Sequence, residues 1–473
     1  MARHKKGSGW LALLLVAALA ALFTSGSDDR PSLLLVSIDT LRADRLSVYG
    51  FERPTTPRLE EFASSAIVYE RAFAPAPFTM PSVASLLTGC YPDRLGLVTH
   101  SRSSRLSPDF PVLAELADGA GYQTAAVVAN PWLANHRTGF SRGFDIYSTG
   151  RDNPPGSRFN ATEVTNAAIE ALPFEASGPP FVLWVHYIDT HMPYRPEPAY
   201  LRRLGYETAD SAIVEDFVLR RRQPQEIYFG IASYDRRTVE ATRNLYDAAI
   251  LYVDQEVGRL LDVLDRRGLS SSTIVAIVSD HGESLGDHGL FFAHDFTLYD
   301  ELLRVPLLLR LPSAPSGRVR QEVMITDLLP TLCEHMKLAC QHQMDGRVLP
   351  NQPENSDGAA RVLFAASAPA RRRYDANPRQ YLGGLHGRWT MALEGYRKLI
   401  RIPHPDADVY EAYDTARDPQ ETINLYSSGR FEDLRHALHD WEKRMERSRP
   451  SLSRHPSLDK ETRTRLRSLG YFN

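Results

Sequence analysis

Two acidic residues and a histidine stand in this chain where a divalent cation could be held. Asp39 follows the apolar run 32–38, and Asp280-His281 follows the apolar run 273–278. Each run reads as a buried parallel strand, so one sheet could bring Asp39, Asp280 and His281 together across most of the chain. Carboxylate oxygens suit Mn2+, Mg2+ or Ca2+, and the imidazole makes Mn2+ or Zn2+ equally suitable. Taken singly, an Asp after a strand is often a helix cap and a His a satisfied core group. A hydroxyl adds to the set. Phe78-Thr79-Met80-Pro81-Ser82-Val83 through Leu87-Thr88-Gly89 puts Thr79 before a helix start, with Pro81 in the first turn. A nucleophile there would meet unpaired N–H groups and the positive end of the helix dipole, which favour negative charge on an attacked sulfuryl or phosphoryl group. On local pattern alone, the simpler reading of Thr79 is an N-cap.

The elements that must position these residues follow one rhythm. The strand pattern recurs at 124–129, ending at Asn130-Pro131, and at 181–187, running into Asp189 and His191. An apolar stretch at 305–311 adds a further strand, and helices are expected at 111–119, 161–172 and 239–267. In the last of these Leu245, Ala249, Tyr252, Val253, Val257, Leu260, Leu261 and Leu264 recur at helical spacing. Alternating strands and helices predict an α/β fold: a large, mostly parallel sheet flanked by helices, with ligands beyond the C-terminal strand ends. The polar segment 208–237, with Arg220-Arg221-Arg222, reads as a solvated insertion or a lid. After about 347 a Pro-, Asn- and Gly-rich stretch interrupts the pattern, and 389–402 suggests an antiparallel hairpin. The expected organisation is a catalytic domain over 31–346, with an insertion around 200–238, and a small α+β C-terminal subdomain over 347–473. A frayed surface helix is expected around 447–467.

With 473 residues, 43% of them hydrophobic, the chain can bury a large core. Its 55 basic and 58 acidic residues give a net charge of -3, and nothing in that balance points to nucleic acid. Arg3, Lys5 and Lys6 precede an apolar run at 10–23 and a polar exit, so 1–26 reads as a secretory signal peptide. The same run could be retained as an N-terminal membrane anchor. Either reading gives an exported chain, periplasmic or extracellular. There Cys333 and Cys340 could pair and leave Cys90 free; three reduced, buried cysteines are the alternative.

The segment Thr79-Met80-Pro81-Ser82-Val83 through Leu87-Thr88-Gly89 resembles the signature of the sulfatase family, in the alkaline-phosphatase superfamily. The other motifs stand in that family's order: Ile38-Asp39-Thr40-Leu41-Arg42-Ala43-Asp44, Asp189-Thr190-His191-Met192-Pro193-Tyr194, and Ser279-Asp280-His281-Gly282-Glu283 on to Gly289. Leu298-Tyr299-Asp300-Glu301, Arg304-Val305-Pro306-Leu307 and the late Tyr413-Asp414 through Asn424-Leu425 also look like it. The resemblance implies an alkaline-phosphatase/sulfatase-like fold and one divalent metal ion on Asp39, Asp280 and His281, touched by Thr79 as nucleophile. It gives His191 and His294 roles at the ester oxygens and leaving group. Asn130, His100 and Asp189 belong to its polar shell, Asn130 reading alternatively as a strand-end turn, and His186 and His288 look structural or orienting.

Three departures stand out. Thr40 replaces a second aspartate, Val83 replaces an arginine, and Thr79 stands where the family keeps Cys or Ser. A threonine cannot become formylglycine, so none is expected. The resemblance implies hydrolysis of a sulfate ester on a small molecule, glycan or lipid headgroup by attack of Thr79. A phosphate ester hydrolase or phosphotransferase acting through phospho-threonine is the alternative, as is an inactive carbohydrate-binding homologue. Oligomeric state is not legible.

Overall fold

The computed structural model describes residues 28–99, 104–134, 138–150, 159–173, 178–207, 235–289, 294–312, 314–351, 361–369, 387–404, 406–449 and 464. The apolar run 10–23, His100 and the segment 208–234 lie outside the described residues.

The strands are β1 (Ser32–Ile38), β2 (Ile67–Tyr69), β3 (Ala72–Phe73), β4 (Gln123–Val128), β5 (Ile146–Ser148), β6 (Phe181–Tyr187), β7 (Thr273–Ser279), β8 (Arg304–Val305), β9 (Leu307–Arg310), β10 (Gly317–Val319), β11 (Val323–Met324), β12 (Leu363–Ala366), β13 (Thr390–Glu394), β14 (Arg397–Ile402) and β15 (Val409–Asp414). An eight-stranded sheet has the order β10-β2-β9-β7-β1-β6-β4-β5. β1 lies within it, parallel to β6 and to β7, and β4 and β5 extend the parallel run. β9 is antiparallel to both its neighbours. The stretch expected as one strand at 305–311 is split, Arg304–Val305 pairing with β3 and Leu307–Arg310 joining the large sheet. Pro306 makes the break, because it has no N–H to give a ladder, while its carbonyl accepts from Ser279 N at 3.2 Å.

The principal helices are α1 (Pro57–Ala63), α2 (Thr79–Thr88), α3 (Leu113–Asp118), α4 (Ala161–Ala171), α5 (Arg236–Arg266), α6 (Leu328–Met336) and α7 (Glu432–Ser448). α4 starts at a reciprocal Asn160/Glu163 capping box, and α5 at Asp235, whose carboxylate accepts the Thr238 N–H. All residues of β1, β6 and β7 are buried, as strands covered on both faces must be. Side chains alternate across the sheet. Leu34, Val36, Leu183 and Val185 pack with α4 and α5, while Leu33, Leu35, Val182, Trp184, Ile274 and Ala276 pack with α2, α3 and α6.

β12 to β15 form an antiparallel sheet, with the expected hairpin turning at Gly395, whose φ is 55°. With Leu434, Leu438, Trp441 and Met445 of α7 it makes a third core that also takes in Phe73, Tyr91, Leu298 and Tyr299. Lys398 on β14 is fully buried and reaches Asp300 and Glu421, each at 2.7 Å. α7 ends at Ser448, and the helix expected around 447–467 lies almost wholly outside the described residues. Cys333 and Cys340 are disulfide-bonded with Cα atoms 6.2 Å apart, and Cys90 is free and buried.

Candidate active site and metal centre

Strand alternation decides which polar residues meet. On β1 the residues facing α2 are Leu33, Leu35 and Ser37, and the next in that series is Asp39. Ile274, Ala276 and Val278 lead to Asp280 on the adjacent β7, and Ala126 and Val128 lead to Asn130 after β4. α2 covers this face and begins at Thr79. The cap position belongs to Phe78, which has extended backbone, and no side chain caps the helix. The Thr79 hydroxyl is therefore not spent on capping. It is fully buried, with Oγ1 3.3 Å from His281 Nε2 and 3.5 Å from Asn130 Nδ2.

Asp39, Asp280 and His281 are buried, and their candidate ligand atoms lie within 4.8 Å of one another. Their hydrogen bonds sort each group into a used and an unused side. Asp39 Oδ2 accepts from Asn130 Nδ2 at 2.5 Å, and Asp280 Oδ1 accepts from the N–H groups of His281 at 2.9 Å and Thr40 at 3.3 Å. Asp39 Oδ1 and Asp280 Oδ2 are buried without a hydrogen bond among the described residues. His281 Nδ1 faces the Gly282 carbonyl at 2.9 Å, which can only accept, so the proton sits there and Nε2 presents its lone pair. Two bare carboxylate oxygens and an imidazole nitrogen that faces the Thr79 hydroxyl converge in a buried site, an arrangement costly without a cation and well suited to one. The residues fit a divalent metal ion.

The charges fit the same picture. Burial opposes ionisation of Asp39, but His186, His191 and His281 hold its carboxyl well below the usual range. Burial and the charge of Asp39 together push Asp280 up. His281 is lowered to about 3, by burial first and then by His294. His294 goes the other way, to about 9, because Glu283 outweighs burial.

His294 stands beside the cluster, its ring centroid 4.7 Å from that of His281 and 5.1 Å from that of His191. Its Nδ1 lies 3.0 Å from Glu283 Oε1, and Tyr194 donates to Glu283 Oε2 at 3.4 Å. Glu283 is fully buried and had no role assigned from sequence, although it sits two residues after His281 in a motif already singled out. His191 Nδ1 donates to the Met192 carbonyl at 2.6 Å.

Asn130 serves both readings at once. Its Oδ1 accepts the Trp132 N–H at 2.8 Å and holds the turn, which leaves Nδ2 for Asp39 and Thr79. Asp189 is buried where β6 ends; its charge falls on Tyr187 and Tyr252, whose hydroxyls burial already pushes up, on the α5 side of the sheet. His186 lies on β6 with Nε2 3.5 Å from Asp39 Oδ2. His288 stands apart, bonded to Glu301 at 3.1 Å and to the Glu421 carbonyl at 3.2 Å. Thr40 has φ 56° and sends its hydroxyl to the Thr190 carbonyl at 2.7 Å, and Val83 packs in the core behind α2.

The family model described as Sulfatase matches residues 31–338. The chain belongs to the sulfatase family. It thereby joins the ester-hydrolysing enzymes of the alkaline-phosphatase superfamily, with sulfate and phosphate esters both open. Iduronate 2-sulfatase of Homo sapiens is 27% identical over 363 residues, 66% of this sulfatase-family chain and 66% of the human one. A structure solved with its substrate D-glucosamine-2-N,6-O-disulfate shares the fold, at TM-score 0.69 and 21% identity, covering 88% of this chain and 98% of that one. The phosphonate monoester hydrolase of Agrobacterium radiobacter shares it too, at TM-score 0.67 and 20% identity, covering 88% and 96%.

Proposed function

We propose that this chain hydrolyses a sulfate monoester, with Thr79 as nucleophile. The observation that carries the reading is the Thr79 hydroxyl, fully buried at a helix N-terminus and 3.3 Å from His281 Nε2, beside two carboxylates with unused oxygens. Asp39, Asp280 and His281, with the Thr79 oxygen, would hold the divalent cation, which when bound offsets anionic charge and makes the hydroxyl easier to ionise. Asn130 directs an N–H at the Thr79 oxygen, favouring its anionic form. Thr79 Oγ1, its proton given up to solvent, attacks sulfur, the bond from sulfur to the ester oxygen breaks, and protonated His294 gives its proton to the departing alcohol. His191 lies beside it to bind the transferred anion. Water then attacks sulfur, giving one proton to His294 and the other to the Thr79 oxygen as its bond to sulfur breaks, and sulfate departs.

Phosphate chemistry is the second reading, and the Thr79 side chain itself favours it. With a methyl on its β-carbon, Thr79 offers no aldehyde route for shedding sulfate, so release requires displacement at the central atom, a step well suited to phosphorus. The sulfated sugars named for the related proteins support a sugar or glycan ester as substrate. The basic-then-apolar N-terminal pattern and the Cys333–Cys340 disulfide support export to the periplasm or outside the cell, with the 10–23 run either removed or kept as an anchor.

The test is turnover of matched 4-nitrophenyl sulfate, phosphate and phosphonate esters by Mn2+-loaded chain, followed by acid quench and peptide mass analysis with isotope-labelled substrates. Label on Thr79 from one ester identifies nucleophile and transferred group together. Turnover with Thr79 unmodified under every quench condition, and undiminished in Thr79→Ala, sinks the mechanism.

A further inference from the structure

We infer that His186, set by Ser37, is a positioning residue for the carboxylate of Asp39. The inference rests on the metal centre proposed above. Ser37 and His186 are paired residues of the adjacent parallel strands β1 and β6, and both are fully buried. Ser37 Oγ lies 2.7 Å from His186 Nδ1 and 2.8 Å from Trp184 Nε1.

Counting protons fixes the ring. The indole nitrogen can only donate, so Ser37 accepts from Trp184. The hydroxyl has one proton to give, and among the described residues His186 Nδ1 is the acceptor it faces. Nδ1 is then unprotonated and the ring proton sits on Nε2, aimed at Asp39 Oδ2 from 3.5 Å. The opposite tautomer would leave a buried hydroxyl proton unused and turn a ring lone pair toward a carboxylate, and both are unfavourable. At 3.5 Å the N–H is longer than a formed hydrogen bond and acts as a dipole pointed at the anion.

Asn130 completes the device. Its amide is oriented by the Trp132 N–H, so its NH2 group reaches the same Oδ2 at 2.5 Å. Asn130, just past β4, thus bonds one oxygen of Asp39 and the His186 dipole on β6 points at the same oxygen, which leaves Oδ1 toward His281, 3.7 Å away. The chain Trp184, Ser37, His186, Asp39 carries this orientation outward from the core side of the sheet. Neither Ser37 nor His186 would touch metal or substrate.

The experiment uses the full chain stripped with EDTA, with Mn2+ binding followed by calorimetry. His186→Gln keeps an N–H near the position of Nε2; His186→Asn stops at the position of Nδ1. His186→Asn is expected to bind Mn2+ about 10- to 100-fold more weakly, and His186→Gln within about threefold of wild type, the range by which such supporting residues change metal affinity. Metal-free unfolding temperatures of the two variants identify any loss due to folding alone. In metal-free wild type, imidazole nitrogen NMR should show the His186 proton on Nε2, and Ser37→Ala should yield a tautomer mixture. A His186→Asn chain that binds as tightly as wild type, or a wild-type His186 protonated on Nδ1, overturns the role. Wild type that takes up no cation overturns the metal centre along with it.

Discussion

At the residue scale the proposed chemistry turns on one hydroxyl, that of Thr79, whose Oγ1 faces His281 Nε2 and Asn130 Nδ2. Thr79→Ala should lower kcat by about 10³-fold or more, while Thr79→Ser should retain clear turnover, since the attacking oxygen survives. Steady-state kinetics on the best ester, with circular dichroism to verify folding, checks both. Equal loss in the two variants would mean that the methyl group, and with it core packing, was the part that mattered. Asp39 and Asp280-His281 were legible in sequence because polar residues that end a buried run are a one-dimensional signal, whereas Thr79, locally an N-cap, stood out through the resemblance of its motif. Glu283 was not, since its meaning depends on His294, eleven residues on, folding back to 3.0 Å.

At the element scale the site depends on close packing of the segment that follows β7. Gly282 N donates to Leu302 O at 2.8 Å, and a Cβ on Gly282 would lie 1.9 Å from the backbone oxygen of Glu301. That oxygen cannot move without displacing the loop. Gly282→Ala is therefore expected to lower the unfolding temperature by several degrees and to weaken Mn2+ binding through His281, read by differential scanning fluorimetry with and without metal. Further along, His288 stacks on Tyr299 with ring centroids 3.6 Å apart and directs both ring nitrogens at acceptors, Glu301 and the Glu421 carbonyl. Burial lowers its proton affinity, but these partners raise it to about 9. A histidine raised on folding contributes stability that is complete below its unfolded value near 6.5 and is lost as pH climbs through about 9. Urea midpoints should fall more steeply between those limits in wild type than in His288→Gln. Parallel curves would show that the pair adds nothing to stability.

At the scale of the whole molecule, the C-terminal sheet is fastened to the large one by charge as well as by apolar packing. Lys398 is fully buried between Asp300 and Glu421, which come from the two parts. Removing one member of a buried ionic group strands the others without compensation. Lys398→Met should cost about 3–5 kcal/mol of unfolding free energy, measured by urea denaturation of the metal-free chain. A cost near zero would mean that Asp300 and Glu421 are neutralised or hydrated without it. The same docking reaches the segment after β7 through His288, which lies five residues beyond Glu283 and faces the Glu421 carbonyl.

Strand and helix periodicity, and the ends of the buried runs, were settled by sequence alone, because burial on both faces leaves a local apolar record. So was the Asp39, Asp280 and His281 set as a candidate for chemistry, with Thr79 added by the resemblance of its motif. The order of strands was not, since an apolar run carries no mark of its neighbour or direction; hence β9 running antiparallel and the split at Pro306 appear only in the fold. Tertiary structure alone decided that β6 lies beside β1, which turns Ser37 and His186 from core polar residues into a chain ending on Asp39. It also decided which oxygen of each aspartate is taken and which is bare, because hydrogen bonds between distant strands are set by register and by proton counting, neither of which is written in residue order.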